Sequence, residues 1–370
     1  MITRMSSDPG PMRAALALAR RGLGTTWPNP SVGCVLVKQG VVIARGATQK
    51  GGAPHAETVA LERAGKAAKG SVAYVTLEPC NHHGKTPPCT QALIKAGVSR
   101  VVVAVQDPDP RVSGRGIAAL RDAGIYVETG LLAAEAEEVN AGFFSLMKQG
   151  RPMVTLKIAS SLDGRIAVAS RESRWITGEP SRARVHLLRA THDALMVGSG
   201  TVLADNPELT CRLPGMENRS PVRIIADRSL RVPLTAHVAA TAREVPTWFL
   251  VRHGISGDRR DAFKSCGVEI IDVPETKTGE TDLPGALREL GKRGITRLLV
   301  EGGATIATSL LQAELVDRLC WFRAPSVIGG DGLPALTALG LEAPAHAPRF
   351  ARLALETVGE YVLETLGRAA

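Results

Sequence analysis

One histidine and two cysteines in the N-terminal half constrain the fold of this chain most. His55, Cys80 and Cys89 lie in separate segments, and they must converge if they are to bind a single metal ion. Three such ligands leave the fourth position of a tetrahedral zinc ion open for water, as in hydrolytic zinc sites. Glu57 follows the histidine by two residues and could carry the proton. The pattern therefore predicts a zinc centre of the hydrolytic type.

Two of these ligands are predicted to lie where helices begin. Residues 57–64 and 89–95 both have helical sequence patterns. A helix N-terminus favours negative charge, so it lowers the pKa of a thiol and stabilises the thiolate that zinc requires. Residues at positions i and i+2 do not share a helix face. His55 and Glu57 can therefore approach one metal ion only if it lies over the start of the helix.

The motif His-x-Glu followed by Pro-Cys-x-x-Cys is the signature of zinc-dependent nucleobase deaminases. In this chain eight residues, rather than two, separate Cys80 from Cys89, and this insert is polar and contains two prolines. Three segments of the N-terminal half resemble the family of bifunctional pyrimidine deaminase/reductases of riboflavin biosynthesis. They are residues 25–33 (TTWPNPSVG), 54–57 (PHAE) and 76–89 (TLEPCNHHGKTPPC). The long insert separates this family from cytidine and transfer-RNA adenosine deaminases.

Motifs of the C-terminal half are similar to the reductase half of the same family. They are residues 157–165 (KIASSLDGR), 175–178 (WITG), 200–212 (GTVLADNPELTCR) and 300–303 (VEGG). The resemblance implies an α/β protein with an N-terminal cytidine-deaminase-like α/β/α domain followed by a dihydrofolate-reductase-like α/β domain that uses NADPH. The residues themselves show neither a GxGxxG fingerprint nor a P-loop. The turn at Gly302 and Gly303 precedes an apolar helix, where backbone amides could receive a pyrophosphate.

The resemblance also implies roles for individual residues. His55, Cys80 and Cys89 would bind one zinc ion per chain, and Glu57 would be catalytic. Contacts to the deaminase substrate are implied for Asn29, His82 and Lys85. Contacts to NADPH are implied for Ala159, Trp175, Thr201, Asp205, Arg228, Gly303, Ala304 and Thr305. Contacts to the reductase substrate are implied for Ser173, Arg189, Leu209, Arg212 and Glu301. The chemistry is suitable, because arginines bind a sugar phosphate bidentately and a carboxylate can bind ribose hydroxyls.

Two further features concern single residue types. Thr48 stands where the family often has a histidine, which puts one substrate contact in question. Six cysteines in a chain of this length indicate a reduced compartment rather than a disulfide framework. The four cysteines outside the zinc motif are expected to have no chemical role. These are Cys34, Cys211, Cys266 and Cys320.

Length and composition indicate a two-domain globular protein. The chain has 370 residues, of which 44% are hydrophobic and 22% charged, so each half can bury its own core. Proline and glycine at residues 149–152 mark a boundary, so we expect a zinc-dependent pyrimidine deaminase domain at 1–149 and an NADPH-dependent reductase domain at 150–370. The net charge of +9 comes without a long basic run, and aromatic residues make up only 4%, which argues against a nucleic-acid partner.

Alternating strand and helix patterns predict a layered α/β structure in both halves. Predicted strands are residues 32–38, 41–45, 72–77, 101–105, 125–128, 153–158, 194–197, 222–226, 247–251, 268–272 and 297–300. Predicted helices include residues 12–21, 133–147 and 306–311. No apolar segment is long enough to span a membrane, and no cleavage pattern follows the N-terminal apolar run. We expect a cytoplasmic protein without a membrane partner.

The predicted function is a two-step conversion of small phosphorylated pyrimidines by a homo-oligomer, either a dimer or a tetramer. The N-terminal half would deaminate 2,5-diamino-6-(ribosylamino)-4(3H)-pyrimidinone 5′-phosphate. The C-terminal half would use NADPH to reduce the ribosyl group of 5-amino-6-(5-phosphoribosylamino)uracil to ribityl. One alternative is a transfer-RNA or nucleoside deaminase with an accessory C-terminal domain. Another is a structural zinc module in which His82 or His83 closes the site as a fourth ligand.

Overall fold

The computed structural model describes residues 8–82, 87–170, 178–277 and 279–369. Contacts along the chain divide it into two compact units, Met1–Gly150 and Arg151–Ala370. Each unit has hydrophobic clusters of its own, made of buried aliphatic and aromatic side chains. None of the helices in these described ranges is both long and apolar enough to cross a membrane.

The N-terminal unit is built on a five-stranded mixed sheet with the order β2-β1-β3-β4-β5. Its strands are β1 (Gly33–Lys38), β2 (Val41–Ala47), β3 (Val72–Val75), β4 (Arg100–Val103) and β5 (Tyr126–Thr129). Its helices are α1 (Pro9–Gly22), α2 (Ala56–Ala64), α3 (Cys89–Ala96), α4 (Arg115–Asp122), α5 (Ala133–Val139) and α6 (Ala141–Gln149). The predicted strands 32–38 and 41–45 form the antiparallel β1–β2 hairpin, whose turn residues Gln39 and Gly40 have φ values of 51° and 78°. Two left-handed residues in a two-residue loop suit the twist of an antiparallel hairpin.

The prediction of a single helix over residues 133–147 was wrong. Two helices, α5 and α6, occupy this region and are separated at Asn140, which has φ −102° and ψ 19°. The Asn140 side chain accepts a hydrogen bond from the backbone N–H of Ser31 at 2.8 Å and donates one to its carbonyl oxygen at 3.0 Å. Buried backbone groups require partners, so Asn140 pairs with a distant segment and breaks the helix there.

The C-terminal unit contains a nine-stranded sheet with the order β11-β10-β9-β8-β12-β6-β13-β16-β15, and β14 pairs separately with β7. Its strands are β6 (Met153–Ser160), β7 (Arg165–Ala167), β8 (Ala194–Gly198), β9 (Val222–Ala226), β10 (Thr247–Arg252), β11 (Glu269–Val273), β12 (Arg297–Val300), β13 (Arg318–Arg323), β14 (Leu333–Pro334), β15 (Phe350–Val358) and β16 (Tyr361–Arg368). Its helices are α7 (Glu179–Ala190), α8 (Ser199–Asp205), α9 (His237–Ala240), α10 (Gly257–Ser265), α11 (Leu283–Lys292) and α12 (Ala304–Gln312).

Seven neighbouring strands of this sheet run parallel, in the order β11-β10-β9-β8-β12-β6-β13. Strands β16 and β15 complete the sheet and are antiparallel. The strands predicted for this half are present, but β7, β13, β14, β15 and β16 were not predicted. Strand β15 is mostly exposed and lacks a buried apolar run. Ligands of parallel α/β sheets bind outside the carboxyl ends of the strands, and the segments after β6, β8, β9 and β12 all lie at that edge.

Candidate active sites

The three predicted metal ligands converge in the N-terminal unit. The ligand atoms of His55, Cys80 and Cys89 all lie within 4.8 Å of one another. Nδ1 of His55 is 3.2 Å from Sγ of Cys89 and 3.5 Å from Sγ of Cys80. Within the described ranges this group has three members and His82 is not among them, while His83 lies outside those ranges. The described residues therefore form a three-ligand site.

Local structure explains why the ligands meet. His55 is the N-cap residue of α2, and Cys89 is the first residue of α3, as the helix patterns predicted. Strand β2 runs directly under the start of α2, because a Cβ atom at Gly46 would lie 2.1 Å from the carbonyl oxygen of Ala56. Cys80 follows β3 and its Sγ accepts a hydrogen bond from the backbone N–H of Cys89 at 3.4 Å. Two helix starts and a strand end thus meet at one point.

The donor set suits a zinc ion. Zinc prefers imidazole nitrogen and thiolate sulfur at about 2.0–2.3 Å, which corresponds to ligand-to-ligand distances of about 3.5–3.8 Å in a tetrahedron. The nitrogen-to-sulfur distances of 3.2 and 3.5 Å are close to that requirement. The pKa of Cys80 is lowered, first because the Cys89 thiol hydrogen-bonds to it and then because His55 does. Cys80 is therefore readily available as a thiolate.

Glu57 is buried beside these ligands, with 3% of its surface exposed. Its Oε2 atom has no hydrogen-bond partner among the described residues. Burial raises the pKa of Glu57 to about 7, and the negative charge of Cys80 adds to this effect. A carboxyl group with a pKa near neutrality can both accept and return a proton at physiological pH. An orphaned buried carboxylate oxygen next to three metal ligands is a feature of a reaction centre rather than of a packed core.

The structure describes only some of the other residues predicted for the deaminase site. The Asn29 side chain donates a hydrogen bond to the Gly51 carbonyl oxygen at 3.4 Å. Nδ1 of His82 is buried without a partner in the described part of the chain. Lys85 lies outside the described residues. The Thr48 hydroxyl is buried and has a partner within the fold, because it accepts a hydrogen bond from the Val32 backbone N–H at 3.0 Å.

Two residues that the family resemblance assigned to substrate binding form a buried ion pair in the C-terminal unit. Nε and Nη2 of Arg189, on α7, donate to the two carboxylate oxygens of Glu301 at 2.7 and 2.9 Å. The two side chains are 12% and 8% exposed. Burial by itself would raise the pKa of Glu301, but the charge and hydrogen bonds of Arg189 lower it overall. Glu301 is therefore held as a carboxylate.

The Arg189 guanidinium also fixes the segment that carries Leu209 and Arg212. Its Nη1 donates to the carbonyl oxygen of Thr210 at 2.9 Å. Leu209 is buried and has a positive φ of 57°. The Arg212 side chain is 53% exposed and lies 2.6 Å from the Glu208 carboxylate. Arg189 thus connects Glu301 to this segment, and Arg212 remains accessible to a ligand.

Lys157 and His186 belong to the same cluster and were missed by the sequence reasoning. Burial lowers the pKa of Lys157, and the charges of Glu301 and Arg189 act on it in opposite directions. Burial also lowers the pKa of His186, and the nearby charges of Arg189 and Arg212 lower it further. A lysine within the apolar strand β6 was the available signal, because lysine is seldom buried without a partner. The cluster offers a lysine amine and a carboxylate at the carboxyl edge of the sheet.

Four of the predicted NADPH residues, Thr201, Gly303, Ala304 and Thr305, follow the ends of β8 and β12. Gly302 and Gly303 have φ values of 104° and 77°, a region that favours glycine. A Cβ atom at Gly303 would lie 3.6 Å from Oγ1 of Thr201, so the start of α12 lies beside the first turn of α8. Ala304 and Thr305 begin α12, whose N-terminus has no side-chain cap in the described part of the chain. Free amides at a helix start are suitable for a pyrophosphate.

The remaining predicted cofactor residues are more dispersed. Arg228 follows β9, donates to the Gly279 carbonyl oxygen and lies 3.9 Å from the Glu280 carboxylate. Asp205 is exposed at the end of α8, and Ala159 is half-buried on β6 beside Phe322 of β13. Ser173 and Trp175 lie outside the described residues.

Family models match both units. The RibD C-terminal domain matches residues 152–363, and the cytidine and deoxycytidylate deaminase zinc-binding region matches residues 5–105. The riboflavin biosynthesis protein RibD of Escherichia coli K12 is 46% identical over 359 residues, covering 94% of this chain and 96% of that protein. The chain belongs to the RibD family. It is therefore a bifunctional deaminase and reductase of riboflavin biosynthesis.

Solved RibD structures share the fold over both units. Acinetobacter baumannii RibD, form 1, has a TM-score of 0.87 at 39% identity, covering 98% of this chain and 99% of that one. A deaminase/reductase from Thermotoga maritima has a TM-score of 0.84 at 35% identity, covering 98% of both chains. The predicted fold class, a cytidine-deaminase-like domain followed by a reductase domain, is confirmed. The chain belongs to the RibD family, and its second domain matches the RibD C-terminal domain. The alternative of a transfer-RNA or nucleoside deaminase is therefore not favoured.

Proposed function

We propose that His55, Cys80 and Cys89 hold one zinc ion per chain and that residues 1–149 use it to deaminate a diaminopyrimidinone ribosyl phosphate. The observation that carries this proposal is the three-ligand group with the buried Glu57 beside it. When bound, zinc would supply a water of low pKa and an electrophilic centre. Residues 150–370 would then reduce the ribosyl group of the aminouracil product with NADPH.

Glu57 has the position and acidity to move the proton in the first step. Its carboxylate would accept a proton from the attacking water and return it to the departing amine as ammonia leaves. Burial raises the pKa of this carboxyl, which favours its taking up a proton. Asn29, His82 and Lys85 are proposed to orient the pyrimidine and its phosphate, and Thr48 supplies no imidazole there.

Elemental analysis of the purified full-length protein tests the metal proposal. We expect about one zinc per chain, and loss of that zinc in Cys89→Ala because the remaining two ligands cannot hold the ion tightly. Cys266→Ala is the matched control, since Cys266 is a free, half-buried thiol of the C-terminal unit. Zinc retained at wild-type occupancy in Cys89→Ala would contradict the ligand assignment.

In the reductase we propose that NADPH binds along the carboxyl edge of the nine-stranded sheet. Thr201, Gly303, Ala304 and Thr305 would receive the pyrophosphate, with Ala159, Trp175 and Asp205 as further contacts. The substrate would meet Ser173, Leu209, Arg212 and the Arg189–Glu301 pair. The adjacent starts of α8 and α12, and the lack of a side-chain cap on α12, support this arrangement.

NADPH is expected to be preferred to NADH because Arg228 can pair with the 2′-phosphate. Arg228→Ala should reduce the ratio of kcat/KM values for the two cofactors by about tenfold or more, the usual effect of losing a charge-assisted hydrogen bond. Arg243→Ala is the control, because Arg243 is exposed and precedes β10, at the opposite edge of the sheet. An unchanged ratio in Arg228→Ala would remove this residue from the cofactor site.

The two activities are expected to be separable, because the proposed metal site lies before Gly150 and every proposed reductase residue lies after it. Glu57→Gln should still reduce the deaminated substrate at the wild-type rate, and Arg212→Ala should still release ammonia from the diaminopyrimidine. Each variant is given each substrate separately, with ammonia followed in one assay and NADPH absorbance in the other. If zinc-loaded Glu57→Gln cannot reduce the deaminated substrate, the sites are coupled and the proposed division is wrong.

We also propose that the chain forms a dimer or a tetramer. Strand β15 is the edge strand of the large sheet, and its Leu353 and Leu355 are 53% and 57% exposed. An exposed apolar edge of this kind favours association, since water contact with both leucines is unfavourable.

A further inference from the structure

Glu78 has a buried carboxylate that the proposed mechanism does not use. It lies two residues before the ligand Cys80 and is 3% exposed. Its Oε1 accepts hydrogen bonds from the backbone N–H groups of Gly116 and Ile117 at 2.9 and 3.1 Å. Its Oε2 accepts from those of Asp107 and Gly114 at 3.2 and 3.0 Å. Four amides therefore compensate one buried charge, which would otherwise be costly to desolvate.

Three of these amides belong to the start of α4. Gly114 is its N-cap residue and has no side chain to cap the helix, while Gly116 and Ile117 lie in its first turn. The first N–H groups of a helix have no partner within the helix and carry partial positive charge. Glu78 supplies the missing acceptor and the favourable negative charge from a distant part of the chain.

Glycine at position 116 allows this junction to close. A Cβ atom there would lie 2.0 Å from the carbonyl oxygen of Pro79 and 3.2 Å from Oε1 of Glu78. The backbone of the residue directly before Cys80 therefore presses against the first turn of α4. On its other side, Cys80 receives the Cys89 amide through its Sγ atom.

We propose that Glu78 is a positioning residue of the deaminase centre, which fixes the Pro79–Cys80 backbone against α4 so that the Cys80 sulfur faces His55 and Cys89. Glu78 contacts neither the metal nor the substrate in this assignment and acts only through the backbone. The inference rests on the proposed zinc site. Residues that hold metal ligands in place alter metal affinity or activity by about 10–100-fold when they are replaced.

Glu78→Gln in the full-length protein is the direct test. Glutamine has the same shape, but its amide NH2 would face two backbone N–H donors, and the negative charge at the helix start is lost. We expect zinc to pass to a chromophoric chelator about tenfold faster or more, and hydrogen exchange at Gly114, Gly116 and Ile117 to accelerate. With zinc in excess, kcat for deamination should fall while KM changes little. Glu62→Gln, an exposed glutamate on α2, is the control.

Gly116→Ala provides a second, independent test, because it leaves the Glu78 charge intact and separates α4 from Pro79. The Gly116→Ala variant should also release zinc faster than the wild type. If Glu78→Gln does not fold, the zinc-release rate of Gly116→Ala becomes the test of the positioning role. Wild-type rates of zinc release and deamination in a folded Glu78→Gln or Gly116→Ala variant would overturn the positioning role. The zinc content of the wild-type protein tests the metal site itself, so failure of the proposed function is distinguishable from failure of this inference.

Discussion

Replacing Glu57 with glutamine is expected to lower the deamination rate by about 10²–10⁴-fold, the usual contribution of a general acid–base group. Glutamine has nearly the same volume in the buried site but cannot accept or return a proton. The zinc content should stay at the wild-type value, because Glu57 is not one of the three ligands. Ammonia release from the diaminopyrimidine substrate measures the effect, with zinc determined on the same sample.

The exposed glutamate of the same helix, Glu62, provides the matched control. Glu62→Gln should deaminate at the wild-type rate and should bind the same amount of zinc. A larger effect on KM than on kcat in Glu57→Gln would indicate a binding role instead. Deamination at a near-normal rate in zinc-loaded Glu57→Gln would exclude Glu57 as the proton carrier.

Arg189→Ala should destabilise the C-terminal unit by about 3–5 kcal/mol, because it leaves the buried Glu301 carboxylate without its partner. The pair is bidentate and both side chains are largely buried. Loss of the hydrogen bond to Thr210 should also loosen the segment that carries Leu209 and Arg212, so reduction should slow. Urea unfolding followed by tryptophan fluorescence can measure the change, since Trp248 and Trp321 lie in the large sheet.

Two comparisons separate the buried charge from other effects. Arg212→Ala removes an exposed pair with Glu208 and should change the free energy of unfolding by no more than about 1 kcal/mol. The double variant Arg189→Met with Glu301→Leu should recover much of the loss in stability, because no unpaired charge remains buried. It should not recover reductase activity. If Arg189→Ala is as stable as Arg212→Ala, the ion pair does not stabilise the unit as described.

Much of the three-ligand group could be predicted from the sequence. The apolar periodicity and the preceding prolines locate the starts of α2 and α3 within a few residues. His55 and Cys89 lie at those starts. Metal ligands and a proton carrier must also be particular residue types, so their chemistry is visible in the sequence. The hairpin at Gln39 and Gly40 and most parallel strands were equally clear, because turn chemistry and apolar runs are local properties.

Only the tertiary structure decided how residues far apart in the chain are paired. The family resemblance assigned Arg189 and Glu301 separately to substrate binding, and the fold shows that each is the other's partner across 112 positions. In the sequence, Lys157 belonged to a predicted strand and Asn140 to a predicted helix. Glu78 belonged to a motif but had no stated role. Their partners lie in other elements, and local periodicity carries no information about which elements meet. Burial of a charge or an amide then requires a partner from whichever segment packs there, and that packing depends on the whole fold.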